Sequence, residues 1–209
     1  MLADANHKHL ISDGPYVFKK GDRWLIRWVE KGEARKKHLS ADELINFVSW
    51  DSRYFDPACL LSAKKDPDRN HQFDNVSQIA VISDVHGQYD QMLKLLTAHG
   101  VVDDRFNWKM GEGHLVILGD VLDRGNQVQQ CLWLLFKLEQ QAGKAGGRLH
   151  FVLGNHEVMI LDGDLRYVHK MYEDVAQILR TPYNELFGKH AVLGKWLGTK
   201  PALIGINDF

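Results

Sequence analysis

The sequence predicts an α/β fold built around a largely parallel sheet. Three short, continuously apolar runs have the length of buried strands, at residues 79–82, 115–118 and 149–153. Three longer segments carry apolar residues at helical spacing, at residues 88–99, 127–141 and about 165–180. Continuous apolar strands that alternate with amphipathic helices are typical of a parallel sheet covered on both faces.

The composition is that of an ordinary globular chain. Its 209 residues suffice for one sizeable domain, or for one domain and a small appendage, and its 44% hydrophobic and 25% charged residues are ordinary for a soluble globular protein. A formal net charge of −1 gives no reason to expect a nucleic acid or an anionic membrane as a partner. The oligomeric state stays open.

No targeting or membrane segment is recognisable in the sequence. No apolar run approaches the roughly 18 residues of a membrane span, and the first residues lack the hydrophobic core of a signal peptide. We therefore expect a cytoplasmic protein. An exported protein whose signal peptide had been removed is the alternative.

The N-terminal third predicts a small appendage over residues 1–61, made of a β-meander and a helix. Strand-like alternation places Trp24, Ile26 and Trp28 on one face. We expect this face to pack on the main domain rather than to form a substrate platform. Ser40, followed by Glu43 three residues later, is a capping box that predicts a helix reaching about residue 50.

The remaining boundaries follow from polar and glycine-rich segments. A polar stretch predicts a connection at residues 62–75, so that the main domain spans 76–209. Loops are expected at residues 103–113 and 143–147. The second is glycine-rich, but it leads into a strand rather than a helix, which argues against a phosphate-binding P-loop. Cys59 and Cys131 lack a CxxC spacing and are expected to be buried thiols.

Each apolar run ends in residues with oxygen or imidazole donors. The first leads into Asp84 and His86, the second into Asp120, Asp123 and Arg124, and the third into Asn155 and His156. Because the carboxyl ends of parallel strands lie at one edge of a sheet, these side chains are expected to meet there. An Asp-x-His pair alone occurs by chance in many chains, but three such loops after three strands form a specific pattern.

The residue types predict a two-metal site. Carboxylate, imidazole and carboxamide ligands without a thiolate suit Mn, Fe or Zn. Asp84 and His86 would hold one ion and Asn155 would help to hold the other. Asp120 would bridge both. Two such ions, about 3.5–4 Å apart, clamp a phosphoryl group and generate hydroxide for in-line attack.

The other polar residues have roles in phosphate chemistry. Arg124 can offer its planar fork to phosphate oxygens, next to Asn155 and His156. His156, paired with Asp123, is the candidate general acid that protonates the leaving oxygen. The expected catalytic residues are therefore His156, Asp123 and Arg124, and the expected substrate contacts are Arg124, Asn155 and His156.

These loops resemble the signatures of a known family. Asp84-Val85-His86-Gly87, Gly119-Asp120-Val121-Leu122-Asp123-Arg124-Gly125 and Gly154-Asn155-His156-Glu157 resemble the three N-terminal motifs of the phosphoprotein phosphatases, a family of calcineurin-like metallophosphoesterases. The tail at residues 187–208 and the N-terminal appendage resemble the Shewanella-like protein phosphatase subgroup, which is typified by a bacterial protein-tyrosine phosphatase. The resemblance implies the N-terminal part of a metallophosphatase β-sandwich flanked by helices, and the same metal, phosphate and acid roles as above.

The resemblance also implies residues that this sequence does not contain. Two further histidine ligands of the second metal and another phosphate-binding arginine are expected beyond Phe209. Much of the second sheet of the sandwich would lie there too, so that apolar surface would be exposed. His169 and His190 are the histidines that follow the third motif, and neither has the context of a missing ligand.

The leading functional hypothesis is a dinuclear metal-dependent phosphatase that hydrolyses phosphomonoesters of proteins by attack of a metal-bound hydroxide. Its preference for phosphotyrosine over phosphoserine or phosphothreonine is implied by the subgroup resemblance alone. One alternative is a dinucleoside-polyphosphate or other nucleotide phosphohydrolase, which shares the second and third loops. Another, for the 209-residue chain itself, is a non-catalytic metal- or phosphate-binding module.

Overall fold

The computed structural model describes residues 8–47, 53–62 and 70–208. The predicted meander is present as an antiparallel sheet of three strands in sequential order, β1 (Asp13–Lys20), β2 (Arg23–Glu30) and β3 (Glu33–Leu39). Trp24 pairs with both Lys19 and Leu39, which fixes the register across the sheet.

The capping box at the end of the meander is present, but the helix that it begins is short. The Ser40 hydroxyl accepts a hydrogen bond from the Glu43 N–H, and the Glu43 carboxylate accepts one from the Ser40 N–H at 2.7 Å. Helix α1 (Ala41–Ile45) then ends five residues before the predicted boundary. The rest of the predicted helix, at residues 48–50, lies outside the described residues. A second helix, α2 (Pro57–Ser62), was not predicted.

The central sheet has the predicted parallel arrangement. Strands β5 (Ile79–Ile82), β6 (His114–Ile117) and β7 (Arg148–Phe151) lie in the order β5-β6-β7. Two helices connect them, α3 (Tyr89–Ala98) and α4 (Val128–Lys144). The carboxyl ends of all three strands therefore lie at the same edge of the sheet, where the three loops begin.

Two predicted boundaries around these helices are wrong. Helix α4 continues to Lys144, so Gly143 is helical rather than part of a loop. The helix predicted at 165–180 is shorter in the structure, where α6 (Lys170–Leu179) begins only after His169. A separate helix, α5 (Asn155–Asp162), begins directly at the third motif. Gly163 ends α5 in the left-handed conformation, which stops the helix.

The chain closes with helix α7 (Val192–Leu197) and strand β8 (Gly205–Ile206), after a 3₁₀ helix at Tyr183–Phe187. Strand β8 pairs in parallel with β4 (Gln72–Phe73), so that part of the segment 62–75, predicted as a connection, contributes to the main body. Residues 63–69 of that segment lie outside the described residues.

The two faces of the central sheet differ in their cover. One face, with Ala80, Leu115 and Phe151, joins the main hydrophobic core under the helices. The other face is covered in part by Phe73 and Ile206, which pack on Val116 and Val152. The predicted exposure of apolar surface is found on this second face, at Ile79 and Val81 of β5.

The N-terminal sheet shares the main core instead of standing apart from it. Trp24 and Ile26 are buried in the same hydrophobic cluster as the helices, which agrees with the packing expected for this face. The indole N–H of Trp133, on α4, donates a 2.8 Å hydrogen bond to the Pro15 carbonyl. This hydrogen bond joins the start of β1 to α4.

A buried carboxyl lies at the start of β1. Asp13 is 1% exposed and accepts a 2.5 Å hydrogen bond from the Tyr16 hydroxyl. Burial raises the pKa of Asp13 to about 6, although the hydrogen bond from Tyr16 acts in the opposite direction. None of the helices in the described ranges has the length and hydropathy of a membrane span.

Candidate active site

Backbone contacts hold the three loops together at the carboxyl edge of the sheet. The His86 and Gly87 N–H groups donate 2.8 Å hydrogen bonds to the carbonyls of Asp120 and Val121, which joins the first loop to the second. The backbones of these two loops approach so closely that a Cβ on Gly125 would lie 2.2 Å from the His86 carbonyl oxygen. These contacts explain why glycine is needed here and bring the predicted donors into one site.

Left-handed backbone conformations are concentrated in this site. Five of its non-glycine residues have positive φ angles, between 44° and 69°: Asp84, His86, Asp120, Asp123 and Arg124. Each such conformation costs of order 1–2 kcal/mol for a residue with a Cβ. Strained backbone of this kind persists where the surrounding contacts enforce it, as they commonly do at functional sites.

Glu157 supports the second loop, a role that the sequence reasoning did not assign to it. This residue is fully buried in the first turn of α5. Its Oε1 accepts hydrogen bonds from the N–H groups of Val121 and Leu122, at 2.8 and 3.1 Å, and its Oε2 accepts from those of Asp120 and Gly154, at 2.8 and 2.9 Å. The signal was the Gly-Asn-His-Glu motif itself, which places Glu at a position typical of a capping box.

Two predicted metal ligands, His86 and Asp120, form a potential metal group together with His156, which was predicted as the general acid. One potential ligand atom from each of His86, Asp120 and His156 lies within 4.8 Å of the others. The Nδ1 atom of His86 is 2.8 Å from the Leu122 carbonyl, which orients the ring and leaves Nε2 available to a metal. The nitrogen and oxygen donors fit the borderline metals expected from the sequence.

The other two predicted metal ligands lie at the margin of this group. Asp84 has a side chain that is 66% exposed, and its Oδ1 is 3.9 Å from His86 Nε2. Asn155 is exposed at the first position of α5, with its amide nitrogen 3.9 Å from the Met159 sulfur. The Asp84 carboxylate accepts a hydrogen bond from the Ser83 hydroxyl on Oδ2, which leaves Oδ1 as its second oxygen.

His156 and Asp123 form the predicted pair. The Nδ1 atom of His156 is 2.7 Å from Asp123 Oδ2, and both residues are buried. Burial raises the pKa of Asp123, and its hydrogen bond with His156 opposes this effect. With Nδ1 engaged by the carboxylate, Nε2 is the His156 nitrogen that is available for other interactions.

Arg124 lies directly beside this pair. Its guanidinium Nη2 is 3.5 Å from His156 Nε2, and the residue is exposed. Tyr167, a neighbour that was not predicted, has its ring centroid 5.3 Å from that of His156 and 6.0 Å from the guanidinium carbon of Arg124. Tyr167 follows α5 by five residues, and no pattern in the sequence marks it.

The remaining histidines and cysteines that drew attention in the sequence have other environments. The His169 ring accepts a hydrogen bond from the Met171 N–H and caps α6. Neither His169 nor His190 belongs to the potential metal group found among the described residues. Cys59 and Cys131 are buried free thiols, as predicted, and burial raises both thiol pKa values, that of Cys59 to about 12. Neither thiol has the ionisation that a nucleophilic cysteine needs.

The amino-acid sequence matches the profile of a known protein family over more than half of the chain. The sequence profile of the calcineurin-like phosphoesterases matches residues 77–204, which contain all three loops. The chain belongs to the calcineurin-like phosphoesterase family. Members of this family use dinuclear metal centres. The fold class predicted from the sequence is therefore confirmed.

Individual relatives refine this placement within the calcineurin-like phosphoesterases. The chain is 36% identical over 99 residues to Shewanella-like protein phosphatase 2 of Arabidopsis thaliana, covering 47% of this chain and 25% of that protein. It is 32% identical over 151 residues to Shewanella-like protein phosphatase 1 of Plasmodium berghei, covering 69% of this chain and 38% of that protein. The resemblance to the Shewanella-like subgroup, which was based on the tail and the N-terminal appendage, is confirmed.

A solved structure covers nearly the whole chain. The cold-active protein-tyrosine phosphatase of a psychrophilic Shewanella species superposes with a TM-score of 0.82 at 34% identity, covering 95% of this chain and 59% of that one. The N-terminal sheet is thus included in the match. The chain spans less than two thirds of the length of each of these relatives.

Proposed function

We propose that the protein is a metal-dependent phosphatase that hydrolyses phosphomonoesters of proteins. The observation that carries this proposal is the buried His156–Asp123 pair, with 2.7 Å between His156 Nδ1 and Asp123 Oδ2, and with Arg124 Nη2 3.5 Å from the other ring nitrogen, Nε2. A proton donor and an anion-binding group thus share one edge of the site. That combination suits the transfer of a phosphoryl group away from an alkoxide or phenoxide.

Asp84, His86 and Asp120 would hold a first metal ion, and Asp120 and Asn155 would contribute to a second. The absence of thiolate donors favours Mn, Fe or Zn. When bound, such ions polarise a phosphoryl oxygen and make a water molecule nucleophilic near neutral pH. His156 also lies close enough to His86 and Asp120 to be a ligand of the first metal ion. Substitution of His156 with measurement of both metal content and turnover distinguishes a ligand role from the acid role.

The protein residues would bind the phosphate and move one proton. Arg124 would hold two phosphate oxygens through its fork, which fixes the orientation of the bond to be broken. His156 would carry a proton on Nε2 and give it to the leaving oxygen, while Asp123 fixes the ring and stabilises its charged form. Asn155 and His156 would complete the contacts to the substrate.

Phosphoproteins are the substrates that the relatives support best. Two relatives are named protein phosphatases and one solved neighbour is a protein-tyrosine phosphatase. The nucleotide phosphohydrolase and the non-catalytic module remain alternatives. A cytoplasmic location and the domain boundaries at residues 61 and 76 also remain predictions.

The decisive experiment replaces His156 with Asn in the metal-loaded full-length protein. We expect turnover of p-nitrophenyl phosphate to fall about 10²- to 10⁴-fold, the usual contribution of a general acid, with unchanged metal content. His99→Asn, at an exposed position at the end of α3, is the matched control. Unchanged turnover, or a loss of metal that accounts for the lost turnover, would contradict the acid role.

The substrate class needs a separate panel. Phosphopeptides should be hydrolysed and a dinucleoside tetraphosphate should not. The reverse preference would favour the nucleotide phosphohydrolase. Binding of phosphate with no turnover of any of these compounds would favour the non-catalytic module.

A further inference from the structure

Tyr167 is the exposed aromatic residue that contacts the proposed acid and the proposed phosphate-binding arginine together. Tyr167 is 47% exposed. Its ring centroid lies 5.3 Å from the centroid of the His156 ring and 6.0 Å from the guanidinium carbon of Arg124. A third neighbour, Arg166, places its guanidinium carbon 5.7 Å from the Tyr167 ring centroid.

The position of Tyr167 is fixed from both sides. Its carbonyl accepts a 3.0 Å hydrogen bond from the Arg124 N–H, which joins the segment after α5 to the second loop. Arg166 is held by a two-point pair with Asp164, with Nε 2.9 Å from Oδ1 and Nη2 2.7 Å from Oδ2. A large aromatic surface is thus exposed next to the proposed acid and the proposed phosphate-binding arginine.

We propose that Tyr167 determines the preference for aryl over alkyl phosphomonoesters, by packing on the ring of the leaving group. This inference rests on the proposed function. With the phosphate on Arg124 and the leaving oxygen at His156 Nε2, the carbon next to that oxygen would lie close to the two side chains that Tyr167 contacts. In an aryl ester that carbon belongs to an aromatic ring, whereas in a seryl ester it is a single methylene.

Aromatic packing gives the expected size of the effect. Ring pairs contribute roughly 0.5–1.5 kcal/mol beyond their burial, which corresponds to about two- to thirteenfold in affinity. A methylene leaving group gains little from the same surface. Removal of the ring should therefore change the ratio between two substrates more than it changes the activity on the poorer one.

The alternative is a purely positioning role. Tyr167 contacts both His156 and Arg124, so its loss could displace them and weaken every substrate alike. The ratio between aryl and alkyl substrates distinguishes the two roles, because a misplaced acid or arginine affects both esters.

The test compares Tyr167→Ala and Tyr167→Phe in the metal-loaded full-length protein. Leu95→Ala is the matched control, since Leu95 on α3 is also 47% exposed and lies outside the proposed site. The first measurement is calorimetric binding of phenylphosphonate and of methylphosphonate. The second is kcat/KM for a phosphotyrosine and a phosphoserine peptide of otherwise identical sequence.

For Tyr167→Ala we expect the preference for the phenyl ligand and for the phosphotyrosine peptide to fall about three- to tenfold. Tyr167→Phe should retain the wild-type preference in both measurements, because the ring is kept. A preference that Tyr167→Ala leaves unchanged, or equal losses for both ligands, would overturn the proposal. If the wild-type protein hydrolyses neither peptide, the proposed function fails, and the two phosphonates still decide the role of Tyr167.

Discussion

Replacement of Glu157 with Gln is the sharpest test of how the site is supported. The buried carboxylate accepts four backbone hydrogen bonds, two on each oxygen. An amide of nearly the same shape keeps one oxygen and replaces the other with an NH₂ group, which cannot accept a hydrogen bond. Whichever way the amide is oriented, two backbone N–H groups lose their acceptor.

The expected cost follows from this count. A buried donor left without a partner costs about 1–3 kcal/mol, so the Glu157→Gln variant should be destabilised by about 2–6 kcal/mol. Two of the four donors are on Asp120 and Val121, at the start of the loop that carries the proposed bridging ligand. Loss of such outer support typically lowers metal affinity about 10- to 100-fold.

The assay combines urea unfolding with calorimetric metal binding. Glu173→Gln is the matched control, because Glu173 is an exposed carboxylate in the first turn of α6 and its replacement removes the same charge. Its unfolding free energy should stay within about 0.5 kcal/mol of the wild-type value. If Glu157→Gln unfolds as Glu173→Gln does and binds metal normally, the four hydrogen bonds do not organise the loop and the reasoning is wrong.

Three further predictions test other parts of the structure. In Gly154→Ala the new Cβ would lie 2.2 Å from Asp120 Oδ1, so metal affinity measured by calorimetry should fall at least about tenfold; normal affinity would show that the carboxylate can move without loss. Asp13→Asn should flatten the pH dependence of urea unfolding. Burial raises the pKa of the wild-type carboxyl from 3.8 to about 6, so the folded protein holds this proton more tightly than the unfolded chain does. The free energy of unfolding should therefore fall by about 3 kcal/mol as the pH rises from about 4 to above 6. Parallel pH curves for the wild-type and variant proteins would contradict this. Removal of metal with a chelator should lower the Tm, because a ligand that binds only the folded state stabilises it; an unchanged Tm would mean that the proposed ligands hold no metal in the folded protein.

The sequence could predict the sheet and the identity of the loop residues because both depend on local pattern. Apolar runs such as residues 79–82 specify buried strands, and parallel strands must bring their carboxyl ends together. That geometry explains why Asp120 and His156, 36 residues apart, are joined by a 3.1 Å hydrogen bond. The pairing of His156 with Asp123 followed from the same reasoning.

What the sequence could not predict depends on contacts between distant segments. The periodicity of residues 165–180 is helical throughout, but the His169 ring caps α6 and prevents an earlier start. Tyr167 lies between α5 and α6 and has no pattern of its own, so its contact with His156 is visible only in three dimensions. The shared core of β1 and α4 is similarly invisible, because nothing local to Pro15 indicates that Trp133 will bond to it.

The close approach of the loop backbones couples the three loops to one another. A Cβ on Gly125 would meet the carbonyl of His86, and a Cβ on Gly119 would lie 2.1 Å from the Gly154 nitrogen, so each loop occupies the space in which another loop would need a side chain. A substitution in one loop therefore cannot be accommodated by changes within that loop alone. The three loops therefore depend on one another sterically, and transfer of one of them to another scaffold should not carry its chemistry along.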